Sequence, residues 1–367
     1  MCVCDAKDEP NPKGSLQMKA YGVTESGAEL ELVDLEDPKP QGGEVVVDVS
    51  RCGVCHSDVH LWDGGMDFGG RLIGLKEMGV EMPAVLGHEI YGTVSAVGPD
   101  VQDVAVGESY IVYPWIGCGN CARCKEDRDD LCQQQKALGV QKRGGFGDKV
   151  LVREEKFLVN ADGIDPAWAA TLACSGLTAL GAVKKLGDLD PEAGVVVIGA
   201  GGVGLAAVGV LKALGHENIT VVDISDANLA EAKAAGARQT VNSKTADDAM
   251  KAIKAAAGGD VMGVVDFVNG PMTAPLAFGL PSKGGTVVMV GLFGGSMTLP
   301  LGLVAVRAIA LKGSYVGSLA ELRELVDLAK SGKLKRPPIV EKPRAAATET
   351  LAGLRDGNVT GRVVLAG

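Results

Sequence analysis

The run VVVIGAGGVGL constrains this chain more than any other stretch. A strand-like apolar segment ends on Gly199, Gly201 and Gly204 in the pattern G-x-G-x-x-G, and an Ala-rich helical pattern follows directly. Alone the pattern is weak, but between a strand and a helix it is a dinucleotide-binding fingerprint. Glycine lets the backbone approach a pyrophosphate, and the helix N-terminus offers its positive dipole end. Gly202 and Val203 complete the turn. The next apolar run, ITVVD, ends on Asp223, 19 residues past Gly204. A carboxylate there accepts from both adenosine ribose hydroxyls and repels a 2′-phosphate, and Ile224 follows it rather than an arginine. NAD is therefore expected over NADP. The competing account of Asp223 is a strand-end residue capping the next helix.

Around this turn the texture is that of βαβ units. Apolar runs at 195–199, 219–223, 263–268, 285–291 and 308–313 alternate with helical stretches such as DANLAEAKAAG, which predicts a parallel doubly wound sheet. The first 160 residues differ: short runs such as EVVVDVS are broken by turn residues every eight to twelve positions, as in a mostly β unit. The segment LAELRELVDLAKSG predicts a helix after residue 317, and VVLA at 363–366 a last strand. At 367 residues the chain has room for two domains. Residues 194–211 carry no charge over 18 positions, but their clustered glycines favour a strand, a turn and a buried helix over a membrane span.

Acidic residues outnumber basic ones by 46 to 36, a formal charge of −10 that counts against nucleic acid or an anionic membrane as a partner. The N-terminus has neither the basic flank nor the apolar core of a signal peptide, so a cytoplasmic location is expected. Nine cysteines, an odd number, make a disulfide framework a poor expectation and turn attention to metal. Cys118, Cys121, Cys124 and Cys132 pack four thiols into fifteen residues with turn-forming Gly117, Gly119 and Asn120 between them. Four soft ligands on one short loop close a tetrahedral shell, which predicts a structural zinc; an iron–sulfur cluster is the competing metal. Cys2 and Cys4 receive no role. Three further elements are individually weak: CGVCHSDVH at 52–60, GHE at 87–89, and Cys174 in LACSGLTA.

In their order and spacing, CHSDVHLW, GHE, the four-cysteine loop, the lone cysteine, GAGGVG and the Asp223 strand together resemble the zinc-dependent medium-chain alcohol dehydrogenases, from about Met18 to the end. That resemblance implies a mostly β GroES-like catalytic domain over 1–177 with an inserted Rossmann domain over 178–316. Residues 317–367 would complete the catalytic domain, and the active site would lie in the cleft. It implies two zinc ions per chain, the catalytic one held by Cys55, His88 and Cys174 with a fourth position open to water or alcohol. Glu89 matches a glutamate that approaches the metal transiently, and Asp58 a carboxylate orienting the zinc-bound histidine. Ser57 and His60 match a proton relay from the alcohol, an ordinary surface histidine being the lesser account of His60. His56 and Arg362 match residues facing the cofactor pyrophosphate, and Thr178 is grouped with them.

The implied activity is interconversion of a small alcohol with its aldehyde or ketone by hydride transfer to NAD. Zinc makes the alkoxide accessible near neutral pH, since free alcohols ionise far above it. A homo-oligomer, tetramer or dimer, is part of the same expectation. The chain departs from the pattern at two points. Between Cys55 and His88 lie 32 residues, more than compact relatives carry, and the glycine-rich stretch 63–82 predicts a mobile loop shaping the substrate entrance. Asn228 stands where relatives often have a basic residue near the ribose. Trp62, Trp115 and Phe293 are expected to line the pocket, with core packing an equal alternative for the tryptophans. Competing functions are a related enone reductase keeping only the structural zinc, which the set Cys55, His88 and Cys174 counts against, and a zinc-ribbon module binding nucleic acid. The negative charge and the 4% aromatic content count against the latter.

Overall fold

A computed structural model describes residues 17–367, so Cys2 and Cys4 lie outside the described residues. Six parallel strands form one sheet in the spatial order Gln239–Asn242, Ile219–Asp223, Gly194–Ile198, Val261–Asp266, Thr286–Met289 and Ala310–Gly313. Val195, Val196 and Val197 have no exposed surface, as expected for strands covered by helices on both faces. Strand order reverses between Gly194–Ile198 and Val261–Asp266, which opens a crevice at the carboxyl ends of those two strands. The glycine turn sits at that crevice and leads into the helix Gly202–Ala213. Gln239–Asn242, the edge strand, is too short and polar to stand out as an apolar run.

A second, mostly antiparallel sheet runs Leu158–Asn160, Ser109–Val112, Glu89–Val97, Val45–Gly53, Arg362–Ala366 and Ile339–Pro343, with Lys149–Val152 also paired to Val45–Gly53. Arg362–Ala366 pairs antiparallel with Val45–Gly53, Val364 facing Gly53, so the end of the chain returns to the sheet made by its beginning. The core is continuous across both halves.

The two halves are bridged by a long apolar helix. Pro166 opens it at the first helical position, and Asp165 caps it by accepting from Trp168 N at 3.0 Å. The helix Pro166–Thr171 passes through a π turn, Leu172–Gly176, into Leu177–Lys184. Such turns add a residue to the spiral and re-aim side chains, and this one carries Cys174. Pro166–Lys184 is the one helix among the described residues long and apolar enough to cross a membrane, but 83% of that stretch is buried inside the protein, as in a core helix.

Residues 63–82, the stretch expected to be a mobile loop at the substrate entrance, carry some local structure. They contain a small hairpin, Gly65–Asp67 paired with Leu72–Gly74, because the backbone groups bond to each other across a glycine turn. The hairpin tip lies against a glycine loop of the nucleotide sheet: a Cβ on Gly294 would come 2.9 Å from Asp67 O, and one on Gly69 would come 3.2 Å from Gly295 O. Backbone meets backbone, and the insertion joins the two halves.

Candidate active site

Cys55 stands just before the helix His56–Trp62, and Asp58 closes that helix end by accepting from Cys55 N at 2.9 Å. The other oxygen of Asp58 accepts from Gly87 N at 3.0 Å and lies 3.4 Å from Nδ1 of His88. One fully buried carboxylate thus ties the helix to the strand entry that presents His88. The π turn brings Cys174 to the same place, and the ligand atoms of Cys55, His88 and Cys174 lie within 4.8 Å of one another. All three are buried, and neither Nδ1 nor Nε2 of His88 has a hydrogen-bond partner. A buried imidazole nitrogen facing two thiols without a proton partner is what a metal ligand looks like before the metal is considered. The Cys55 thiol is held well below its ordinary range, first by its hydrogen bond with Cys174 and also by His88.

The four-cysteine loop is a separate cluster. Sγ of Cys121 lies 3.6 Å from Cys124 and 3.8 Å from Cys132, and Cys118 lies 4.0 Å from Cys124. Thiolates at about 2.3 Å from a tetrahedral zinc are about 3.8 Å apart, so the cluster has the size zinc requires. Cys118 N and Gln134 N both donate to Cys132 Sγ at 3.3 Å, which fixes where that sulfur sits in the loop. A groove of about 1280 Å³ passes behind Cys118, between Met18 and Arg143, and shares no residue with the Cys55 cluster.

The remaining residues read from the sequence distribute around these centres. Ser57 Oγ is 3.9 Å from Cys55 Sγ, and Thr178 Oγ1 is 4.0 Å from Cys174 Sγ. His56 and His60 share one face of their helix, ring centroids 6.5 Å apart, and Phe293 from the nucleotide half packs on both, at 5.3 and 6.4 Å. Burial holds both histidines below their ordinary range. Trp115 packs 5.3 Å from His88 and donates to Ala173 O at 3.2 Å. Trp62 is tied into packing instead: it donates to Ala28 O at 2.6 Å and lies under the Arg355 guanidinium. Tyr315, which nothing in the sequence marked, packs edge-on against Trp115 with centroids 5.7 Å apart.

Glu89 and Arg362 form a buried ion pair, and Glu89 also accepts from Ser175 N at 3.1 Å. Burial raises the Glu89 carboxyl to about 7 despite the arginine. The arginine stem leans on the nucleotide turn, where a Cβ on Gly202 would come 2.3 Å from Arg362 Cδ. Gly199 takes φ +90°, and a Cβ on Gly204 would meet Gly199 O at 1.8 Å, so neither position tolerates a side chain. Above Gly201 there is open space, which leaves the backbone free to take a phosphate. Asp223 sits at the end of its strand and accepts from Ala200 N at 2.6 Å and Ser225 N at 2.9 Å, with Asn228 Nδ2 at 3.5 Å. It holds the glycine turn against the end of its own strand.

Two family models match the chain: an alcohol dehydrogenase GroES-like domain over residues 41–162 and a zinc-binding dehydrogenase over 202–331. The NAD-dependent alcohol dehydrogenase of Sulfurisphaera tokodaii is 35% identical over 351 residues, spanning 95% of this chain and 99% of that protein. Among solved structures, the alcohol dehydrogenase of the archaeon Aeropyrum pernix superposes with a TM-score of 0.87 at 29% identity, covering 95% of this chain and 100% of that one. Acetophenone reductase from Geotrichum candidum, solved in complex with NAD, gives 0.84 at 31% identity over 96% and 97% of the two chains.

Proposed function

The chain belongs to the zinc-dependent medium-chain alcohol dehydrogenases, and from that premise we infer that it is an NAD-linked alcohol dehydrogenase holding two zinc ions. The convergence of Cys55, His88 and Cys174 beside the nucleotide crevice is the observation that carries this reading. Three ligands leave a fourth position for substrate, whereas Cys118, Cys121, Cys124 and Cys132 close their own shell and hold a loop. When bound, zinc supplies the Lewis acidity that favours the alkoxide, and NAD accepts the hydride.

The chain's own residues do the rest. The Asp58 carboxylate, 3.4 Å from Nδ1 of His88, orients the ring and leaves Nε2 as the nitrogen that would hold the metal. Ser57 stands beside Cys55, where it takes the proton of the incoming alcohol. His60, one turn further along the same helix and uncharged near neutral pH because burial lowers it, is the group that holds that proton. The glycine turn and the helix it opens bind the pyrophosphate, and Asp223 receives the adenosine ribose. Trp115, packed on His88, and Tyr315, edge-on against Trp115, form an aromatic wall suited to an alcohol with an apolar or ring-bearing substituent. The same set of three ligands speaks against an enone reductase that lacks the catalytic metal.

We also expect a homo-oligomer in the cytoplasm. Ala310–Gly313 is an edge strand, and Leu301, Leu303 and Val306 stand exposed on the helix just before it, a combination that invites pairing with a second copy. NADH formation across linear, branched, cyclic and benzylic alcohols, repeated with NADP and with zinc counted per chain, tests the activity. Silence with only one zinc per chain would overturn the catalytic site; light scattering reads the oligomer.

A further inference from the structure

Gln135 lies three residues past the last cysteine of the zinc loop, and nothing in its sequence context marks it. Its side chain is nevertheless used at both ends. Oε1 accepts from the Tyr315 hydroxyl at 2.9 Å, while Nε2 reaches Asp129 O at 3.1 Å and, at 3.4 Å, Trp115 O and Asp130 O. Only an amide offers a donor and an acceptor on one planar fork, so no other side chain of this length makes all these contacts. The backbone around it is equally committed. Gln135 N donates to Cys132 O at 3.2 Å, Lys136 N to Ile116 O at 3.0 Å, and Leu138 N to Pro114 O at 3.1 Å. The segment after the zinc loop is thereby laid along the segment that carries Trp115.

Tyr315 comes from the other side, between the last strand of the parallel sheet and the helix Leu319–Lys330. It keeps 47% of its surface open, so packing alone does not hold it. Its neighbour Gly317 accepts from the Tyr113 hydroxyl at 2.8 Å, a second tie to the same strip. The open ring therefore has two restraints, the edge contact with Trp115 and the hydrogen bond to Gln135.

We infer that Gln135 is a positioning residue: it fastens the aromatic wall of Trp115 and Tyr315 to the four-cysteine loop, so that the loop sets how the substrate pocket discriminates between alcohols. This rests on the reading of Trp115 and Tyr315 as the substrate wall. The zinc loop then has a second consequence besides stability, since its geometry passes through one amide to a ring within two aromatic contacts of His88.

The test compares kcat and KM for ethanol and benzyl alcohol in the zinc-loaded enzyme and in Gln135→Ala, Tyr315→Phe, the double variant, and Tyr315→Ala. Tyr315→Phe keeps the ring and removes only the hydrogen bond. It and Gln135→Ala should each change the ratio of kcat/KM between the two alcohols by about threefold to tenfold, the size of one net hydrogen bond. The change should appear mainly in KM, with zinc content still at the wild-type value. The double variant should be no worse than the stronger single, because both break the same link. If Tyr315→Phe leaves the ratio unchanged while Tyr315→Ala shifts it, the pocket reading stands and the role of Gln135 falls. Additive effects in the double variant would overturn it as well. If Tyr315→Ala also leaves the ratio unchanged, the wall itself has been misplaced and the inference goes with it.

Discussion

Arg362, on the last strand of the catalytic sheet, forms a buried ion pair with Glu89, the residue directly after His88, while its stem presses on Gly202 of the nucleotide turn. Three parts of the protein meet in that one side chain: the strand entry beside the Cys55, His88 and Cys174 cluster, the sheet that supports it and the glycine turn.

Truncating Arg362 to Ala should act on both sides of the contact. It leaves Glu89 buried without its cation, and the carboxyl, already raised to about 7, takes up a proton, so the loss is at most that of comparable buried pairs, about 3–5 kcal/mol. The loss is read by urea denaturation of the zinc-loaded protein. Gly202→Ala should instead leave the ion pair in place and push the stem aside, raising KM for NAD. An unaltered KM in Gly202→Ala would mean that this contact has no bearing on cofactor binding.

Asp58 is expected to set zinc affinity without touching the metal. Asp58→Asn keeps an oxygen for one of its two backbone donors but removes the charge beside His88 Nδ1. Zinc affinity or activity should fall about 10- to 100-fold. Competition with a graded series of chelators checks this. Cys55→Ala and His88→Ala are the stronger versions: each should leave one zinc per chain and abolish turnover.

The four-cysteine loop should show a different order of events. Cys121→Ser should lower the thermal midpoint and the second zinc first, with the chemical step affected only through the loop. Calorimetry and zinc analysis on the same samples separate it from the Cys55 cluster. Loss of chemistry at full stability would contradict the assignment.

His60 carries a pH prediction whose sign follows from burial. Burial disfavours the charged imidazole, so the folded group sits below the ordinary value near 6.5 and stays a competent proton acceptor into mildly acid solution. Wild-type alcohol oxidation should hold up until below about pH 6.5, where the imidazole begins to fill. His60→Ala should be slower throughout and slowest at the acid end, because the proton then depends on scarce solvent bases. The pH profile of kcat/KM reads this, and an unchanged profile would make His60 an ordinary surface histidine.

What the sequence determined by itself was whatever lies within one short stretch of chain. The turn Gly199 to Gly204, the strand ending at Asp223 and the four thiols from Cys118 to Cys132 are local, because their spacing already dictates geometry: a φ of +90° at Gly199, or four sulfurs close enough for one ion. The dispersed residues Cys55, His88 and Cys174 were legible only together, through their resemblance to a family pattern, since each alone reads as an ordinary buried residue. The glycines of 63–82 say only that a loop is there, and the fold alone shows that they turn a hairpin whose tip rests on Gly294 and Gly295. Trp62 and Trp115 were indistinguishable in sequence, and only the fold sent one beneath Arg355 and the other against His88. Tyr315 and Gln135 had no signal at all, and Glu89 and Arg362, each marked by the resemblance for a separate role, had none that paired them. Their partners lie 180 and 273 positions away, and a hydrogen bond or ion pair across that separation exists only after two sheets have closed on a common core.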